Sequence, residues 1–228
     1  MGSRLISIGM KRRALLAGIP MALFAGCTDL VVNGEAEFEA QTATVSEEAR
    51  SETNYEEVEI QESTVERELP AGRTVRVVNA LAEYSRTVET GLGVSGELAR
   101  FTAVATPEVD IAGQAMNPVA DMDNDELAER VQQQYDNVQN IESVGDRTQT
   151  VADTETTVSK YDAEAQTNGQ NVDINIHICR IQNEGDFVIC AAVHPRDIDE
   201  ESRINTLLAG IQHPSGSGSG SSTNTSSE

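Results

Sequence analysis

Between Val172 and Val193 apolar side chains recur at every second position on both sides of Asn183-Glu184-Gly185-Asp186. A period of two is the signature of a strand, and two such runs around a Gly-containing turn read as a β-hairpin. With Glu184-Gly185 as a two-residue turn the register is fixed: Ile176 faces Val193, Ile178 faces Ala191 and Arg180 faces Ile189. One face then collects Val172, Ile174, Ile176, Ile178, Phe187, Ile189, Ala191 and Val193, and a slip by one residue would set this apolar face against the polar one. Helices are expected to cover it. The same register places Cys179 directly opposite Cys190, with His177 and His194 on the same, outward face, where the histidines are expected to be solvated.

The rest of the chain follows a similar rhythm. A strand-like segment lies near Glu35–Ala40, and Tyr55–Leu69 and Thr74–Val88 form a long hairpin about Pro70-Ala71-Gly72. Arg100–Thr106 is a third strand, stopped by Pro107. Asp123 or Asn124 caps a helix through about Tyr135, with Leu127, Val131 and Tyr135 four apart on one face. Strands follow at Val144–Val151, Glu155–Ala165, Val172–Ile181 and Phe187–Val193, then a terminal helix over Glu200–Ile211 with Ile204, Leu207, Leu208 and Ile211 on one side. This order predicts an α+β fold, an antiparallel β-sheet with flanking helices. Phe101–Pro107 and Phe187–Pro195 each run from Phe to Pro shortly before a helix, which hints at a duplicated βββα unit.

The N-terminus carries an address. Lys11-Arg12-Arg13 precedes Ala14-Leu15-Leu16 and an apolar run to Gly26, the length of a signal-peptide core and too short for a stable transmembrane helix. Arg12 and Arg13 resemble the paired arginines of a twin-arginine export signal. Phe24-Ala25-Gly26-Cys27 resembles a lipobox, cut before Cys27 with acylation of its sulfur, although Phe24 stands where leucine is usual. Either Met1 or Met10 serves as a start for such a signal. The expected organisation is therefore a signal peptide over 1–26, a lipid-anchored tether over 27–34, one α+β domain over 35–213 and a Gly/Ser/Thr tail over 214–228. About eight residues of tether span roughly 30 Å at most, which would hold the domain against the membrane surface. Asn224-Thr225-Ser226 in the tail fits an N-glycosylation acceptor.

Composition narrows the partners. The chain has 38 acidic against 16 basic residues and a formal charge of -22, so a nucleic acid would meet repulsion rather than counterion release. Residues 1–26 hold Arg4, Lys11, Arg12 and Arg13 and no acid, and beyond them Lys160 is the sole lysine. A dense acidic surface with arginine in place of lysine and few aromatic residues looks like the proteome of an organism living in near-saturated salt. There the Debye length shrinks to about 3 Å or less and self-repulsion is largely suppressed.

Reactive chemistry is sparse. With Cys27 acylated, Cys179 and Cys190 are the remaining thiols, and two readings stand open: a cross-strand disulfide in an oxidising compartment, or a pair of half-buried small residues. Counting outward from the turn makes them a hydrogen-bonded pair, whose geometry suits a disulfide less well. Cys179, Cys190, His177 and His194 are all zinc-ligand types, but their spacing is unlike tight Cys-x-x-Cys turns, so no metal is expected there. Asp121-Met122-Asp123-Asn124-Asp125 opens like a calcium loop, yet Glu126 replaces the required Gly and Gln132 the bidentate Glu; these acids fit a helix cap better. Gly93-Val94-Ser95-Gly96 is one residue short of a nucleophile elbow. No catalytic residue and no cofactor is assigned.

From Arg12 to about His213 the chain resembles a family of haloarchaeal lipoproteins built around a domain of unknown function. The matching residues are Lys11-Arg12-Arg13 with Cys27, Tyr55-Glu56-Glu57-Val58, Thr64-Val65-Glu66-Arg67-Glu68, Ala103-Val104-Ala105-Thr106-Pro107, Asn117-Pro118-Val119, Thr154-Glu155-Thr156-Thr157-Val158-Ser159 and Leu207-Leu208-Ala209-Gly210-Ile211. More distantly, the order of strands and terminal helix resembles the PsbP and Mog1 type of sheet, a fold that mostly binds partners. The resulting expectation is an exported, non-enzymatic binding or accessory domain, anchored to the bilayer through Cys27 on the outer face of the cytoplasmic membrane of a halophilic archaeon and engaging an envelope protein. The alternative is an exported hydrolase or metal-dependent enzyme, which a concave pocket at His177 or His194 would favour.

Overall fold

A computed structural model describes residues 35–70, 72–89, 95–111, 113–134, 138–167 and 170–214. Cys27, Arg12, Arg13 and Asn224 lie outside these. The elements run β1 (Glu35–Glu39), β2 (Thr44–Val45), α1 (Glu47–Thr53), β3 (Glu56–Leu69), β4 (Arg73–Glu89), β5 (Ser95–Pro107), β6 (Asp110–Ile111) and β7 (Gln114–Ala115). A 3-10 turn (Pro118–Asp121) leads to α2 (Asn124–Gln134), β8 (Val138–Val151), β9 (Thr154–Thr167), β10 (Gln170–Asn183), β11 (Asp186–Pro195), α3 (Glu201–Ala209) and β12 (Ile211–Gln212).

The dominant feature is one eight-stranded sheet, ordered β4-β5-β11-β10-β9-β8, with β3 and β1 both paired to β4. β3 and β5 overlap along Ala80–Ser85 of β4, and β3 and β1 overlap along Thr74–Val78. β1 and β5 therefore share one edge of β4, and β3 closes the sheet on the other. β1 runs parallel to β4, so the sheet is mixed.

The β10–β11 hairpin has the register the turn dictates, with Ile176 opposite Val193, Ile178 opposite Ala191 and Cys179 opposite Cys190. Glu184 and Gly185 take positive φ of 51° and 87°, as a tight hairpin turn requires.

The α+β expectation is corrected. Strands take up 65% of the described residues and helices 18%, so the fold is predominantly β. Among the described residues the α-helices have only 7, 11 and 9 residues, whereas the longest strand has 17. The reason is two-sided burial: with strands this long the sheet supplies both halves of the core, and the helices serve as short covers.

The duplicated βββα unit is also not found. β5 and β11 are antiparallel neighbours, so a two-fold relating the halves would stand perpendicular to the sheet and put both helices on one face. Instead α2 and α3 cover opposite faces. Leu127 and Ala128 of α2 pack with Tyr161, Ala163, Ile174, Ile176 and Ile178, whereas Ile204, Leu207 and Leu208 of α3 pack with Cys179, Ile181, Val188, Cys190 and Ala192.

Local chemistry explains the helices. Asp123 Oδ1 accepts from Glu126 N at 2.9 Å and Glu126 Oε2 accepts from Asp123 N at 3.1 Å, a reciprocal capping box that gives this acidic run its role. Ser46 caps α1 by accepting from Ala49 N, and Asn54 ends it in the left-handed conformation at φ 58°. Alanines at 80, 82, 103, 105 and 192 form a low floor under α1 and α3. There the Tyr84 hydroxyl accepts from Val45 N at 2.9 Å and ties β2 to the sheet.

Candidate functional site

The face carrying His177, His194, Cys179 and Cys190 was expected to point outward, with solvated histidines. It is the better buried of the two faces. His177 is 2% exposed, His194 3%, and each cysteine 1%, because α1, α3 and the β2–β12 ribbon close over them.

Hydrogen-bond partners fix the state of both rings. Arg147 on β8 brings Nη1 within 3.0 Å of His177 Nδ1, and a guanidinium only donates, so Nδ1 accepts. At the other end His194 Nδ1 lies 2.9 Å from the Pro195 carbonyl, which only accepts, so that nitrogen carries the proton. The 3.1 Å contact between His177 Nε2 and His194 Nε2 is then a bond donated by His177. The rings are 19° from parallel with centroids 5.3 Å apart, about the spacing of two imidazoles meeting edge to edge across such a bond.

The relay runs in one direction, Arg147 to His177 to His194 to Pro195, with both imidazoles neutral. Burial above all, and then the Arg147 charge, pushes His177 down to about 3, and burial pushes His194 down too. Every ring lone pair is engaged, so neither histidine serves as a base or a metal ligand without dismantling the chain. Among the described residues no group of three or more His, Cys, Asp or Glu side chains is placed to hold a metal ion.

The two thiols are free, and they lie directly opposite each other. A hydrogen bond with Cys179, reinforced by burial, pushes the Cys190 thiol well up, so it stays protonated and poorly nucleophilic.

Two further polar clusters carried no sequence signal, because their members lie far apart in the chain. The Glu200 side chain is fully buried and ion-paired with Arg86 Nη2, while Arg86 Nε and the Tyr55 hydroxyl donate to Oε2 at 3.3 and 3.2 Å. Burial first, and then the Glu200 charge, raises the Tyr55 phenol well above its ordinary value. His213 Nε2 lies 3.0 Å from Asp186 Oδ2 and 3.2 Å from the Gln41 carbonyl, and Nδ1 lies 3.0 Å from Asn183 Oδ1. This clasp fastens both ends of the domain to the β10–β11 turn.

A cleft of about 260 Å³ opens between α1 and α3, lined by Glu52, Thr53, Ser202, Arg203 and Thr206. It holds neither His177 nor His194.

These features define a β-rich domain with helices packed on both faces of its sheet and with buried polar clusters whose members bond to one another. The chain belongs to the family described as Domain of unknown function (DUF6517), which matches residues 42–212. No curated protein matches. Among solved structures, LpqN of Mycobacterium tuberculosis, described as involved in cell envelope biogenesis, is similar over 74% of this chain and 96% of its own, at 12% identity and a TM-score of 0.28.

Proposed function

We propose that this protein is exported through the Arg12-Arg13 signal, anchored by a lipid on Cys27, and acts as a non-catalytic binding or accessory domain against an envelope protein at the cell surface. The observation that carries the non-catalytic part is the inward use of its polar groups. His177, His194, Glu200, Asp186 and His213 are all buried and all bonded to neighbours in the fold. The acidic surface fits a halophilic archaeon, where salt suppresses its self-repulsion, and Asn224 is offered as a glycosylation acceptor in the tail.

This reading also implies an orientation for the domain. Glu35 pairs with Thr74, next to the β3–β4 turn, so the chain enters the domain at that end of the sheet. His213 is bonded to Asp186 at the β10–β11 turn of the same end, so the C-terminal tail leaves close by. A tether of about eight residues reaches roughly 30 Å at most, which would turn this end toward the bilayer and the opposite end outward.

Fractionation of producing cells tests the reading. The protein is expected in the membrane fraction with an intact mass that begins at Cys27 and includes a lipid, and Cys27→Ser is expected to release it from the membrane. Recovery of the unprocessed chain from the cytosol, whatever residue stands at 27, would overturn it.

A further inference from the structure

β3 is an edge strand of 14 residues, paired to β4 on one side and, among the described residues, to no strand on the other, and 13 of its residues are exposed. Three of the four exposed large apolar side chains among the described residues, Val58, Ile60 and Val65, lie on it. The opposite edge, β8, is interrupted by two register shifts, between Gln139 and Glu142 and between Ser143 and Gly145. β3 has one shift, between Glu57 and Glu59, and pairs without interruption from Glu59 to Leu69. A long open edge with a regular backbone is a template for a further strand.

Charges on such an edge ordinarily block pairing, and β3 carries Glu56, Glu57, Glu59, Glu62, Glu66 and Glu68. They do not block every arrangement. In the regular stretch alternate residues turn their backbone groups toward β4 or away from it. Two copies related by a two-fold must therefore meet in an antiparallel register centred on a single residue.

Centring on Glu62 sets that carboxylate against its own copy. Centring on Thr64 opposes Glu62 to Glu66, and centring on Val65 opposes Glu62 to Glu68. Centring on Gln61 pairs only a short segment. Centring on Ser63 aligns Glu59 through Arg67, opposes no two carboxylates, and places Glu59 opposite Arg67 twice. Arg67 is the one base on the strand. Among the described residues neither it nor Glu59 has an ion pair, whereas Glu57 and Glu66 face Arg50 and Arg76 at 3.5 and 3.8 Å.

We propose that β3 is the homodimerisation edge of this protein: a second copy adds its own β3 antiparallel to the first, centred on Ser63, with Glu59 of each copy paired to Arg67 of the other. The carboxylates discriminate against the other centres, and salt that screens their general repulsion favours the dimer.

The full-length protein carrying Ser63→Cys, in a Cys27→Ser background and high salt, tests this with a short bis-maleimide crosslinker. A covalent dimer is expected in at least tenfold greater yield than from Gln61→Cys, whose copies sit off the axis. Adding Arg67→Glu or Glu59→Arg alone should remove that excess, and adding both together should restore it. All these positions are exposed, so circular dichroism should report the same fold throughout. Equal yields from Ser63→Cys and Gln61→Cys, or an excess insensitive to the charge changes, would overturn the proposal.

Discussion

Acidification acts on the His177–His194 chain in a way whose sign and size follow from the structure. In the folded protein His177 must stay neutral, since its Nδ1 accepts from Arg147 and a proton there would set two donors face to face. Burial and the neighbouring cation hold it at about 3, against an ordinary value of 6.5 in the unfolded chain. Above pH 6.5 the ring is neutral in both states and its contribution is intact. As the pH falls below 6.5 the unfolded chain takes up a proton that the folded one refuses, so stability drops until the folded ring also protonates near 3. Each pH unit in that window costs about 1.4 kcal/mol, so moving from pH 7 to pH 5 should remove about 2 kcal/mol through His177 alone. His194 adds to the loss in the same direction.

Urea unfolding at constant high salt, repeated from pH 7.5 to pH 4.5, reads this directly. Carboxylates contribute to any acid loss, so the informative quantity is the difference from His177→Gln, whose amide can accept from Arg147 and donate to His194 without titrating. The variant is expected to be less stable at pH 7 by about 1–3 kcal/mol. It should also lose about 2 kcal/mol less than the parent between pH 7 and pH 5. Equal losses in the two proteins would refute the reading of the relay as a pair of neutral rings.

Other consequences concern the covered face. Gly210 sits where α3 ends against α1, and a Cβ there would run into Ala49 Cβ; Gly210→Ala should cost about 1–3 kcal/mol in thermal unfolding. Ala49→Gly in the same chain should recover much of that, and an undiminished penalty would show that the clash lies elsewhere. Glu200→Gln leaves the largely buried Arg86 without its carboxylate and should cost about 3–5 kcal/mol, whereas a change near zero would mean that water replaces the pair. Cys179 and Cys190 should resist a thiol reagent in the native state and react on unfolding, with no change of intact mass on reduction. A mass gain on reduction would instead establish a disulfide between them.

Much of the sheet was legible because local rules decide it. The Glu184-Gly185 turn allows one register, and the β10–β11 pairing follows residue for residue. The β3–β4 hairpin and helices α2 and α3 were legible from turn residues and from apolar spacing. The burial of the face carrying His177 and Cys179 was not legible, for a physical reason. Phe187-Val188-Ile189-Cys190-Ala191-Ala192-Val193 is apolar at every position, which is the mark of a strand buried on both sides, and the alternation in β10 hid it. Helix α1 has no periodic sequence signal because Glu-Glu-Ala-Arg-Ser-Glu-Thr buries only Ala49 and Thr53, too few to show a period. Tyr55, Arg86 and Glu200, and likewise Gln41, Asp186 and His213, meet only through tertiary packing across most of the chain, and no local pattern announces such a meeting.

The central claim, that the domain works by holding another envelope component, is tested most directly by crosslinking intact cells and recovering the protein through a tag on its C-terminal tail. The account predicts a crosslinked species heavier than its own dimer that contains a different envelope protein in fixed proportion. Recovery of only monomers and self-dimers, under conditions that crosslink other envelope complexes, would contradict it.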